Sequence, residues 1–151
     1  MNEYPDTSFL CAVYRVQPNY IEAQAYRSTL TVPLPYTSLL EFEFLQATHL
    51  QVFLHAGDRT KGFSLQQANK IIGDWEFDCS TGLNQKFLYD AEAVNKYALS
   101  LSSLHTAHGG HRSLDVLHVA TAVHLGAKVF LTFDARQKAL AKIAGLKVPF
   151  K

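Results

Sequence analysis

The chain has 151 residues, 48% of them hydrophobic, which matches one compact domain able to bury its own core, so a single domain over 1–151 is expected. No run approaches the ~18 consecutive apolar residues of a membrane span, and Met1-Asn2-Glu3-Tyr4-Pro5-Asp6 has neither a basic flank nor an apolar leader core, so the expectation is a cytoplasmic protein with no membrane association. The net charge of +1 gives no general affinity for nucleic acid, but residues 1–50 carry five acids against two bases and 126–151 carry six bases against Asp134 alone, so the basic end is a candidate phosphate contact or simply a solvated lysine-rich face.

Cys11 and Cys79 lie far apart with no C-x-x-C spacing, and buried or half-buried thiols are expected rather than a zinc or redox pair. Short apolar runs predict strands ending near Asp6 and covering Val32–Tyr36, Lys86–Tyr89, Lys128–Thr132 and Lys147–Phe150. Helical pattern fills most of the intervening chain. Ser38-Leu-Leu-Glu41 and Ser64 with Gln67 have capping-box spacing, the latter followed by Leu65, Ala68, Ile72 and Trp75 at helical intervals. Asp90 is placed to cap a helix reaching about Leu104, and Ser113 to Gly126 runs from a capping serine to a glycine stop. Alternating strands and helices imply an α/β domain with a mostly parallel sheet of about five strands, whose ligands bind beyond the carboxyl ends of the strands.

Asp115 in Ser113-Leu114-Asp115 and Asp134 in Thr132-Phe133-Asp134 share a local context; if the hydroxyl residue is the cap, each Asp sits at N2, where the helix dipole favours an ionised carboxylate. A structural role explains either one alone. Asp134 and Asp6, however, both end a strand and precede a helix, which sets several acids on one edge of the sheet. Of Glu41 and Glu43, the first has a capping task. The second points about 200° away around the helix, among Leu39, Leu40, Ala47 and Leu50, and is the better ligand candidate. Ionised carboxylates in one cleft repel by about 3 kcal/mol per pair at ~5 Å and an effective dielectric of ~20, and an oxygen-only site of this kind selects Mg2+ or Mn2+. Such ions align water for attack on a phosphodiester.

Asp6-Thr7-Ser8-Phe9-Leu10, Glu43-Phe-Leu-Gln-Ala47, Arg112-Ser-Leu-Asp115-Val-Leu-His118-Val-Ala120-Thr-Ala122 and Leu131-Thr-Phe-Asp134-Ala-Arg-Gln137, in this order, resemble the PIN-domain nucleases, particularly the VapC-type toxins of bacterial toxin–antitoxin pairs. The resemblance spans nearly the whole chain. It implies a three-layer α/β/α domain with a central parallel sheet and metal-dependent cleavage of RNA, with Asp6, Glu43, Asp115 and Asp134 as the acidic set holding Mg2+ or Mn2+. It also implies a cognate antitoxin and commonly a homodimer. One departure is Pro5 before the first Asp, which lacks a ladder N–H and predicts a short or displaced first strand.

His105, His108 and His111 recur every three residues across Gly109-Gly110; they are read as exposed loop histidines, with a transition-metal site as the competing view. His118, one turn after Asp115, either orients that carboxylate or packs with a satisfied imidazole. Thr132 is read chiefly as a helix cap, and Arg112, Arg136 and Lys138 as candidate phosphate contacts. Leu39, Leu40, Phe42, Phe44 and Leu45 make their helix apolar on more than one side, which suits a dimer mate or an antitoxin as well as core burial. A haloacid-dehalogenase-like phosphatase would need an Asp where Ser8 stands. A catalytically silent PIN-fold module that binds RNA or protein is the alternative to an endoribonuclease.

Overall fold

The structure, a computed structural model, describes residues 1–151. Four three-residue strands form: β1 (Glu3–Pro5), β2 (Leu34–Tyr36), β3 (Asn84–Lys86) and β4 (Val129–Leu131). β1 pairs in parallel with β4, placing Tyr4 opposite Phe130, and β2 pairs in parallel with β3, placing Pro35 opposite Gln85. β1 and β2 lie side by side without a ladder between them. Pro5 and Pro35 explain the gap, since each removes an N–H from one of the facing strands.

The proline before Asp6 shortens β1 but does not displace it: the Asp6 N–H donates to the Leu131 carbonyl (3.0 Å) and continues the pairing past Pro5. The fifth expected strand, Lys147–Phe150, is reduced to one bridge between Val129 and Lys147, because Pro149 cannot extend the ladder. β3 meets the expected Lys86–Tyr89 only at Lys86, because it opens two residues earlier, on Asn84, and ends where that strand was expected to begin. The buried Asn84 amide donates to the Tyr14 hydroxyl (2.8 Å), and Arg27 donates to both Asn84 and Asp78. A strand opened by a satisfied polar network carries no apolar signal.

Alternation along β4 separates two cores. Leu131 joins Phe9, Leu10 and Val13 of α1 (Thr7–Tyr14), Ala23 of α2 (Tyr20–Ser28), Leu40 and Phe44 of α3 (Ser38–Gly57) and Ile71 and Trp75 of α4 (Leu65–Ser80). Phe130 joins Tyr4 and residues of α5 (Ala91–Leu101), α7 (Ser113–His124) and α8 (Ala135–Ile143) on the opposite face. The strands are thus sandwiched between helical layers, each helix burying one stripe. No helix is long and apolar enough to cross a membrane. Cys11 is buried and Cys79 half-buried, both as free thiols.

The capping residues differ in part from those the sequence suggests. Ser64 and Asp90 cap α4 and α5, accepting from Gln67 and Ala93 N–H groups. α3 is capped by Thr37 rather than Ser38, and Glu41 takes Lys86 as its partner (2.7 Å) instead of closing a capping box. α5 does not stop near Leu104: it passes through a π-helical turn, Ser102–Thr106, into the short α6 (Ala107–Gly109), which ends at Gly110 with φ 64°. His105 and His108 therefore stand on helix, not in a loop, and His111 is buried.

Candidate active site

Asp6, at the carboxyl end of β1, is fully buried and caps α1, its Oδ1 accepting from the Phe9 N–H (2.9 Å) and the Ser8 hydroxyl (2.7 Å). Its Oδ2 accepts from the Thr132 hydroxyl (2.5 Å) at the end of β4. Thr132 in turn accepts the Asp134 N–H (3.0 Å), so it bridges two aspartates and is not the helix cap. Asp134 itself caps α8, its Oδ1 accepting from the N–H groups of Arg136 (2.8 Å) and Gln137 (2.9 Å). The expected N2 position for this acid is corrected: it precedes the helix, where it can reach two free N–H groups at once.

The buried Gln137 side chain carries the network on, its Nε2 donating to Asp115 Oδ1 (3.2 Å). Asp115 lies at N3 of α7, not N2, because Arg112 takes the N-cap position and donates its N–H to Asp115 Oδ2 (3.2 Å). Glu43, on α3, turns toward the same edge: its Oε2 accepts from the Thr7 hydroxyl and lies 2.6 Å from His118 Nε2. His118 serves Glu43 and not Asp115. Its Nδ1 lies 3.2 Å from the Tyr4 hydroxyl, which also meets Thr37 Oγ1 at 3.3 Å. With Tyr4 donating to Nδ1, the Nε2–H donates to Glu43 and every atom of this buried chain is satisfied.

Asp6, Asp134 and Asp115 are thereby joined through Thr132 and Gln137, and Glu43 is joined to them through Thr7, the residue after Asp6. Tyr4 and Thr37 were not singled out by the sequence, Thr7 and Gln137 stood there only as members of longer motifs, and Ser8 only as the residue that excludes a phosphatase; the hydroxyls of Thr7 and Ser8 directly after Asp6 were the one local hint. Electrostatics divide the acids. Burial pushes the Asp6 carboxyl up to about 6, although Thr132, Ser8, the Phe9 N–H and nearby His118 all pull it down. Burial also acts to raise Glu43, but His118 and Thr7 outweigh it and leave this carboxyl below its ordinary value. Burial raises the Tyr4 phenol well above its usual range, keeping it a hydrogen-bond donor.

No three His, Cys, Asp or Glu side chains converge to clasp one ion by themselves. The donor set nevertheless fits a hydrated hard cation. It is all oxygen, and Glu43 Oε1 and Asp134 Oδ2 accept no hydrogen bond from the protein, while Mg2+ commonly takes one or two carboxylates and keeps several waters. Arg112 and Arg136 are exposed beside the acids, whereas the Lys138 ammonium turns to the Lys151 carbonyl.

The chain matches no protein-family model and no curated protein sequence. Its fold does match solved structures. VapC20 of Mycobacterium tuberculosis, described as a sarcin–ricin-loop-cleaving toxin, superposes with a TM-score of 0.67 at 12% identity over 91% of this chain and 94% of that one. A chain of VapBC-1 from nontypeable Haemophilus influenzae gives 0.62 at 15% identity, over 98% and 96%. The expected α/β architecture is accordingly the PIN-like fold of VapC proteins, here with four strands.

Proposed function

We propose that this chain is an endoribonuclease that cleaves RNA phosphodiester bonds, and that it is the toxin of a toxin–antitoxin pair. The observation that carries the reading is the hydrogen-bonded relay that ties Asp6, Glu43, Asp115 and Asp134 to one edge, beyond the carboxyl ends of β1 and β4. Likeness of fold to a toxin named for cleaving the sarcin–ricin loop supports RNA as substrate. These four acids would hold Mg2+ or Mn2+, which when bound stabilises developing phosphate charge and lowers the pKa of a bound water.

The protein's own part is positioning and proton control. His118 and Thr7 fix Oε2 of Glu43 and keep this carboxylate ionised, so that its Oε1 can orient or deprotonate an attacking water. Gln137 and the start of α8 hold Asp115 and Asp134 in register. Exposed Arg112 and Arg136 offer phosphate contacts.

Likeness to VapBC-1 supports a cognate antitoxin as partner. Phe42, 62% exposed, and Phe53, 73% exposed, give α3 an apolar side that the core does not use, suited to that partner or to a second copy in a homodimer. The test is incubation of purified protein with mixed RNA and Mn2+, beside Asp115→Asn and Glu43→Gln. Cleavage by the wild type alone is expected. Equal inactivity of all three would favour a catalytically silent binding module.

A further inference from the structure

His105, His108 and His111 play no part in the acid relay, yet they share one feature of the surface. His105 and His108 on the helical extension of α5, His111 after Gly110, and Arg136 and Ile143 of α8 line a cleft of ≈ 510 Å3. No carboxylate lines it. His111 forms a wall, 9% exposed, with Nε2 so close to Gly109 that an added Cβ there would sit 2.2 Å away. Its Nδ1 is buried without a hydrogen-bond partner.

The cleft abuts the acids. Ala135, in its lining, follows Asp134, and Arg112, directly after His111, donates to Asp115. No three of the histidines and acids are set to clasp a metal ion. Arg136 of α8 is the one charged side chain in the lining; Asp134, Asp115 and the α8 lysines Lys138 and Lys142 all lie outside it. The lining is mixed: Leu104, Ala135, Ala139 and Ile143 form an apolar floor against which a base can pack, and one arginine and three imidazoles offer donors to phosphates, histidine gaining its positive charge near physiological pH.

We infer that this cleft holds backbone phosphates of single-stranded RNA next to the bond to be cut, and that protonation of His105 and His108 strengthens the hold. The inference rests on RNA being the substrate, as proposed above. It differs from general basic attraction in predicting a pH response that belongs to two residues.

The test is fluorescence anisotropy with a labelled oligouridylate in EDTA, so that binding is read without cleavage, from about pH 7.5 to about pH 5.5. Wild-type affinity should rise on the order of tenfold, and the slope of log affinity against log salt should steepen by ~0.7 for each additional phosphate neutralised. Measured in an Asp6→Asn background, in which the buried carboxyl no longer titrates in the same window, His105→Ala/His108→Ala, altering two side chains outside the core, should lose that response, while His49→Ala/His55→Ala should keep it. A double variant at 105 and 108 that retains the wild-type response overturns the inference, as does a wild type with no response. A parallel Mn2+ cleavage assay separates the two readings. RNA bound with the expected response but left uncut removes the nuclease and leaves the cleft; RNA cut while the binding response is unaffected by the double variant removes the cleft and leaves the nuclease.

Discussion

Asp6→Asn should make the protein more stable, and by an amount that depends on pH. The carboxyl is fully buried and its pKa is moved from 3.8 to about 6, chiefly by burial. A carboxyl whose pKa is raised by folding favours the folded state only while protonated: its contribution is fully present below about pH 4, is lost as pH rises, and is gone above about pH 6. The raised value corresponds to ~3 kcal/mol at neutral pH. Asparagine removes the charge and can keep the hydrogen bonds. Its Oδ1 replaces the acceptor used by Phe9 and Ser8, and its Nδ2 can donate to Thr132, whose hydroxyl then donates to Ser8 Oγ, 3.2 Å away. Urea unfolding in EDTA should show the variant more stable by ~2–3 kcal/mol near pH 7.5, raising Tm by very roughly 4–12 °C, with the difference closing toward pH 4. A variant that is less stable at pH 7.5, or a gain that does not change with pH, would refute the electrostatic account of this site.

Four further outcomes are expected. Glu41→Gln should retain cleavage, because Glu41 pairs at the surface with Lys86, whereas Glu43→Gln should lower it by at least ~100-fold in the same Mn2+ assay. His118→Phe strips Glu43 and Tyr4 of their shared partner and should cost about 2–4 kcal/mol in urea unfolding. Gln137→Leu, similar in volume, should fold but cleave on the order of tenfold more slowly, since Asp115 loses its tie to the start of α8. Gly62→Ala should destabilise by more than ~2 kcal/mol, because Gly62 has φ 57° and an added Cβ would lie 2.0 Å from the Gln51 carbonyl oxygen; thermal unfolding reads this directly.

The parts of the fold that were legible in the sequence are those with a local signal. Ser64 and Asp90 cap the helices that their positions announce, and Phe130 and Leu131 alternate as a buried strand should. The phase argument separated Glu43 from Glu41, although its premise was wrong: Glu41 is occupied by Lys86, 45 residues away, not by its own helix cap. The same long-range logic hid the rest. Thr132 looks like a cap because the residue it binds, Asp6, is 126 positions distant. His118 sits one turn from Asp115, but its partners, Glu43 and Tyr4, come from α3 and β1. Spacing along a chain cannot reveal a partner supplied by another element. Pro5, by contrast, was readable and shortens β1 where it stands, whereas the expected strand Lys147–Phe150 ran through Pro149 and only one bridge forms.

Pro5 and Pro35 have a consequence for the spacing of the acids. They leave the strands as two hydrogen-bonded pairs, and the seam between the pairs runs through the acid site: Asp6 and Asp134 belong to the β1–β4 side, and Glu43 to the helix that follows β2. Backbone ladders therefore lock Asp6 to Asp134, but no ladder locks Glu43 to either. Its distance is set by packing and by side-chain bridges across the seam, among them Tyr4 to Thr37, Thr7 to Glu43 and His118 to Glu43. Hydroxyl groups and one imidazole thus act as the gauge that spaces the glutamate from the aspartates, and a slide of the two halves by a fraction of an ångström would alter the acid site before it disturbed either strand pair.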